Sequence, residues 1–282
     1  MHAAAISSRG GVSPRSTRLR GQSTIEYVLI AAVIGLVVVF AGPQVAGAIR
    51  NQFNQVTETI DRGTSEKAFG VPDIPDPQNG TAFAVYSADD NSLMFYKRRG
   101  VPKVGDMFND RRVTEVYTGF ETEHYVPTSD DWNGTVNTPW YGHATDCTSV
   151  CVVDYGIHPS HLEYWFHRFD RCASFDVEKL DTSLVTSIAH AFSFCRSVKT
   201  LDLSLWDLSR ITGAVSSFSA CTNLESVSFG ELPFSNLEHL DWMFNSCSNL
   251  KLDCSDWNVK PSSSHKDFSG YSPGVIMPRA WQ

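Results

Sequence analysis

The chain has no apolar run long enough to span a bilayer unaided. Its longest, Val28 to Ala41, is 14 residues, against the ~20 that a transmembrane helix needs. Acidic residues are absent before Glu26, where four arginines (Arg9, Arg15, Arg18 and Arg20) stand alone. A surplus of basic charge is also missing. The formal net charge of the 282 residues is -8, which argues against nucleic acid as a partner, because phosphate binding needs a basic surface. Complete pairing of the cysteines is impossible, since there are seven, and at least one thiol stays outside any intrachain disulfide. Catalytic signatures are lacking too. There is no nucleophile elbow, no His-Glu-x-x-His and no phosphate-binding loop, so no enzyme and no cofactor are expected.

What is present begins with the basic leader. Arginines ahead of an apolar run orient it, keeping the leader cytoplasmic and sending the C-terminal part across the membrane. Hydropathy leaves two readings of this segment. One is a secretory signal peptide, with Ala46-Gly47-Ala48 as a small-x-small cleavage site. The other is a helix that stays. Glu26 at the mouth of the apolar run favours the second, being costly in lipid without a specific partner. Ile49, Phe53, Val56 and Ile60 then recur at spacings of 4, 3 and 4, the stripe of an amphipathic helix, and Gly63 offers a stop. The simplest expectation is one helix over about 23–62, kinked at Pro43.

The stretch from Gly21 through Gln22, Glu26 and Tyr27 into the apolar run resembles the N-terminus of type IVb (Flp/Tad) pilins, over roughly residues 15–62. The resemblance implies cleavage after Gly21 by a prepilin peptidase, with Glu26 pairing to the new amino group of Gln22 on a neighbouring pilin subunit. Losing the four leader arginines takes the net charge from -8 to -12.

Residues 63–80 hold Val71-Pro72, Ile74-Pro75 and Asp76-Pro77 and read as an extended linker. Residues 81–165 read as a small β-rich domain. Phe83 to Tyr86 and Leu93 to Tyr96 flank a polar turn, a hairpin signal, and Val113 to Tyr117 and Val150 to Val153 are further strands. His143, Cys147, Cys151, His158 and His161 are metal-like in residue type, but their spacing matches no zinc pattern, so no metal site is expected. Cys147 and Cys151 stand either as a short-loop disulfide or as two unpaired thiols. The clusters Asp89-Asp90-Asn91 and Asp130-Asp131 lack the alternate-residue spacing of a calcium loop and read as turns.

Internal repetition is the strongest signal. Phe166, Phe192, Phe218 and Phe244 recur at 26, 26 and 26 residues, and Cys195, Cys221 and Cys247 each follow their Phe by three. Leucine, valine and isoleucine positions keep the same interval. A 26-residue period with an L-x-x-L-x-L core is a leucine-rich-repeat solenoid. The three cysteines point inward as buried thiols, small hydrophobes rather than bridges. Asp181 and Asp207 recur with the coil and read as turn residues.

The run from Phe192 through Cys195, Leu201-Asp202-Leu203-Ser204 and Trp206-Asp207 to Thr212 resembles the BspA-like repeats of bacterial surface proteins, and Met243-Phe244 and Leu180 to Thr186 repeat it in other coils. Gly230-Glu231-Leu232-Pro233 departs from the pattern. The fold class expected is therefore α + β: a long N-terminal membrane helix, a small β-rich domain and a short solenoid. The boundaries are a leader at 1–21, the helix at 22–62, the linker at 63–80, the β-rich domain at 81–165, the repeats at 166–272 and a tail at 273–282.

The function expected is a cell-surface, pilin-like subunit (a minor pilin or adhesin) displaying a repeat domain, single-pass in the membrane with its C-terminal part outside. The alternative is a singly anchored or secreted repeat protein with no pilus role. A recognition face would use the polar positions between core residues, namely Thr200, Asp202, Ser226, Ser228, Lys251 and Asp253.

Overall fold

A computed structural model of the chain describes residues 80–128, 135–230 and 234–282, all within one compact unit. Strands β1 (Thr81–Ser87) and β2 (Ser92–Arg98) form an antiparallel hairpin in the register Ser87↔Ser92. Asn91, with φ at 53°, turns the chain between them, a conformation Asn tolerates better than most residues. A small ribbon follows, β3 (Met107–Phe108) with β4 (Arg111–Arg112), and then β5 (Glu115–Thr118) pairs antiparallel with β1. The hairpin buries both of its faces. Ala82, Ala84, Leu93 and Phe95 enter the main core, whereas Phe83, Val85 and Tyr96 form a second small cluster with Val113.

On the other edge of β2 the chain changes direction rule. β6 (Ser149–Val152) pairs parallel with β2, and β7 (Ser174–Asp176) pairs parallel with β6, giving a sheet of order β5-β1-β2-β6-β7. β8 (Thr200–Leu203) and β9 (Ser226–Phe229) are again parallel, as are β10 (Leu252–Asp253) and β11 (Val275–Ile276). Each strand thus starts a coil of the solenoid. One hydrophobic core runs from Ala82 in the hairpin to Val275 in β11. The hairpin therefore closes the N-terminal end of the stack, covering an edge that would otherwise be open to pairing.

The inner ladder is built from phenylalanine. Ring centroids of Phe192 and Phe218 lie 5.7 Å apart, and those of Phe218 and Phe244 lie 5.3 Å apart, with planes within 4° and 10°. Each Phe sits between two residues of left-handed backbone: Tyr164 and Arg168, His190 and Phe194, Ser216 and Ala220, Trp242 and Ser246. Around these residues every second amide points along the stack axis. Phe166, Phe192 and Phe244 N–H donate to Ala191, Ser217 and Phe268 carbonyls at 2.8–2.9 Å. Non-glycine residues held this way cost energy locally, and the coil-to-coil hydrogen bonds offset that cost.

The same backbone alternation corrects the expected α + β class. A pair of left-handed residues four positions apart in each coil breaks the i to i+4 ladder, so the coils return by tight turns. The described residues hold no α-helix, only 3-10 turns at Tyr141–His143, Phe234–Asn236 and Arg279–Trp281. The fold described is β-rich. No helix among the described residues is long and apolar enough to cross a membrane, which overturns the single-pass membrane placement; the 14-residue apolar run already fell short of a full span. The segment expected to be helical, 22–62, lies outside the described residues.

Candidate functional site

The repeat-core residues sit where a solenoid interior needs them. Phe166, Phe192, Phe218 and Phe244 are buried, as are Cys195, Cys221 and Cys247. All seven cysteines are free thiols. The repeat thiols also carry a second role that composition alone does not reveal. Cys195 Sγ donates to the Phe166 carbonyl, Cys221 Sγ to Phe192 and Cys247 Sγ to Phe218, at 3.0–3.1 Å. In the last coil Ser272 takes the place of cysteine, its Oγ donating to the Phe244 carbonyl at 2.5 Å. Each coil thus satisfies a buried carbonyl of the coil before it.

Outside the core, strand alternation sends every second side chain to solvent. Thr200, Asp202, Ser226, Ser228, Lys251 and Asp253 are all exposed. The parallel register aligns Thr200 with Ser226 and Asp202 with Ser228, and the exposed Lys251 and Asp253 lie on the next coil. Asp202 and Asp253 do more than face solvent. Asp202 Oδ1 accepts the Ser204 N–H at 2.9 Å, and Asp253 Oδ1 accepts the Ser255 N–H at 2.8 Å. Hydrogen bonds from the serine side chain and backbone hold both carboxyls below the usual range. Asp181 and Asp207 cap their own turns in the same way, through Ser183 and Ser209. The strip therefore offers hydroxyls, carboxylate oxygens and an ammonium on a rigid backbone. That is a hydrogen-bonding surface.

The metal-like residues of 143–161 are dispersed. His143 stacks on Tyr86 with centroids 3.6 Å apart and reaches Glu115 at 3.1 Å. Cys147 is buried, its thiol donating to the Ser149 carbonyl. Cys151 lies half-buried against Asp176, and burial first, then that carboxylate, pushes its thiol up to about 11. His158 pairs with Asp181 at 2.9 Å; the hydrogen bond raises the imidazole and lowers the carboxyl to about 2. Among the described residues, His161 alone of these five belongs to a group of three metal-binding side chains, with His124 and Glu163 as the other two. The His161-x-Glu163 spacing was the available signal, since alternate residues of an extended segment share a side. Gly21, Gln22, Glu26 and Tyr27 lie outside the described residues.

Two histidines belong to the stack itself. His167 is buried, and its Nδ1 lies 2.6 Å from Ser193 Oγ, which donates in turn to the His190 carbonyl. Burial lowers His167 to about 3 and His190 to about 4, so both rings are neutral.

No curated protein and no solved structure matches the chain. Residues 160–272, less than half of the chain, match the family model described as "Mycoplasma protein of unknown function, DUF285". The match lies on the solenoid and loosely fits the resemblance of these repeats to BspA-like surface proteins; it leaves the N-terminal segment uncovered.

Proposed function

We propose that the repeat-bearing part of this chain is a recognition module of a surface protein, acting by binding and not by catalysis. The observation that supports this most is the exposed strip on β8, β9 and β10. Its polar side chains on β8 and β9 are held in strand register on coils that share the phenylalanine ladder and one core. The carboxylates Asp181, Asp202, Asp207 and Asp253 are engaged in capping turns, which suits a scaffold better than an acid–base pair.

A chain carrying Thr200→Lys, Ser226→Lys, Ser228→Lys and Lys251→Glu together tests this, because those four side chains hold no turn. Native and variant chains are passed over immobilised glycans and extracellular proteins. The reading expects at least one saturable binder retained by the native chain and held at least 10-fold less tightly by the variant. Equal retention of both would refute it.

The delivery of the module follows from the resemblance of residues 15–62 to pilins. On that reading the chain is a minor pilin or adhesin subunit, cut after Gly21 by a prepilin peptidase and joined to other pilin subunits through Glu26. Bulk argues for small numbers in any filament, since more than 200 residues follow the pilin-like segment. Glu26→Ala should leave the module folded and abolish its recovery with sheared filaments. Unchanged recovery would refute assembly through Glu26, and absence of the native chain from the filament fraction would favour a secreted repeat protein with no pilus role.

A further inference from the structure

Three side chains from two loops and a coil turn converge at the junction between the hairpin sheet and the first coil. His124 Nε2 lies 3.6 Å from one oxygen of Glu163, and His161 Nδ1 lies 3.5 Å from the other. The two imidazole centroids are 4.8 Å apart. Glu163 is buried, and its Oε2 and the His161 Nδ1 have no hydrogen-bond partner. This differs from the neighbouring histidine–carboxylate pairs. His158 with Asp181 and His143 with Glu115 close to 2.9 and 3.1 Å, within hydrogen-bonding range. A buried carboxylate and a buried imidazole nitrogen left facing each other without a hydrogen bond are costly unless something bridges them.

We propose that His124, His161 and Glu163 form a binding site for a divalent cation of the zinc class. Two ligands bound at 2.0–2.1 Å to a tetrahedral zinc lie about 3.3 Å apart, close to the 3.5 and 3.6 Å found here. All the donor atoms fall within 4.8 Å of one another, and the remaining gap lies on the side of His124, whose side chain is 55% exposed. Two nitrogens and a carboxylate select a borderline metal over calcium or magnesium, which take oxygen ligands.

The positions are set in advance. Ser160 N–H and Oγ both donate to the Glu121 carbonyl, at 2.8 and 3.1 Å, and the His158 N–H donates to Glu121 Oε1 at 2.9 Å. The loop carrying His124 is thereby clamped to the loop carrying His161. Leu162 and Tyr164 N–H donate to Ser187 and Ala189 of the next coil, fixing Glu163 between them. The cation joins the closing sheet to the solenoid, and three protein ligands leave a fourth position on the side of exposed His124 for water or a partner's donor group.

Zinc chloride is the probe. The untagged full chain, stripped with chelator, is dialysed against zinc and the bound metal counted, alongside Glu163→Gln, His161→Ala, His124→Asn and the control His158→Asn. One zinc per native chain and per control chain is expected, with affinity lowered at least 10-fold in each ligand variant. Zinc should raise the thermal transition of the native chain and leave that of Glu163→Gln in place. His124 is exposed, so His124→Asn keeps the test valid should the buried variants misfold. No zinc bound by the native chain, calcium bound in its place, or zinc retained equally by His124→Asn would each overturn the proposal.

Discussion

The Cys221 thiol reaches across one coil and donates to the carbonyl oxygen of Phe192 at 3.1 Å. The Phe192 carbonyl also accepts the Cys195 amide at 3.2 Å, so both of its lone pairs are used. A cysteine that only filled space would be replaced best by alanine. One that also donates should be replaced best by serine, as Ser272 does in the last coil. Cys221→Ser is therefore expected to unfold at a higher urea concentration than Cys221→Ala. The separation should be about 1 kcal/mol, the net value of one hydrogen bond. Equal midpoints would reduce the thiol to filler.

Thiol reactivity follows from burial. Six of the cysteines are buried and Cys151 alone is half-buried. In urea all seven should react with a colorimetric disulfide reagent without prior reduction. In the native protein at most one should, and slowly, because burial and Asp176 keep the Cys151 thiol protonated. Fewer than seven in urea would mean that a bridge forms.

Stability should fall on mild acidification. His167 and His190 titrate near 3 and 4 when folded, against about 6.5 when unfolded. Between those values the unfolded chain binds more protons, so stability is fully present above about 6.5 and is lost as the pH falls toward 4. The slope approaches about 1.4 kcal/mol per pH unit for each histidine. His158, raised by its hydrogen bond to Asp181, acts in the opposite sense, and its contribution is lost as the pH rises above its folded value. It is half-exposed and weighs less. Urea midpoints at pH 7 and 4.5 should differ for the native chain, and the difference should shrink in His167→Gln.

A single methyl group should disturb the coil at the point where the repeat wording breaks. A Cβ on Gly230 would sit 2.3 Å from the Ser204 carbonyl oxygen of the preceding coil. Backbone has to move to admit it. Gly230→Ala is expected to cost about 1–3 kcal/mol, in the range of overpacked sites, read as a lowered urea midpoint. Gly142→Ala, where a Cβ meets nothing within 4 Å, is the control.

The solenoid was legible because its core repeats in residue type. Phe192, Phe218 and Phe244 are large, identical and evenly spaced, and a solenoid stacks such a residue on itself from coil to coil. The turns that shape each coil were not legible. Left-handed backbone is usually announced by glycine or asparagine, yet here tyrosine, histidine, serine and tryptophan occupy the equivalent positions 164, 190, 216 and 242. Tertiary hydrogen bonds, not local preference, hold them. The exposed strip followed from simple alternation. The cluster of His124, His161 and Glu163 did not, because 37 residues separate its first two members and only the clamp through Glu121 brings them together.

Surface display with the strip outward is the central claim, and thiol burial makes it measurable. Ser228→Cys places one exposed sulfhydryl on the strip of a chain whose own cysteines are largely buried. Intact producing cells are treated with a membrane-impermeant maleimide, and the chain is then recovered and its label quantified. The expected result is strong labelling of Ser228→Cys and faint labelling of the native chain. Labelling of Ser228→Cys that appears only after the cells are lysed would contradict it.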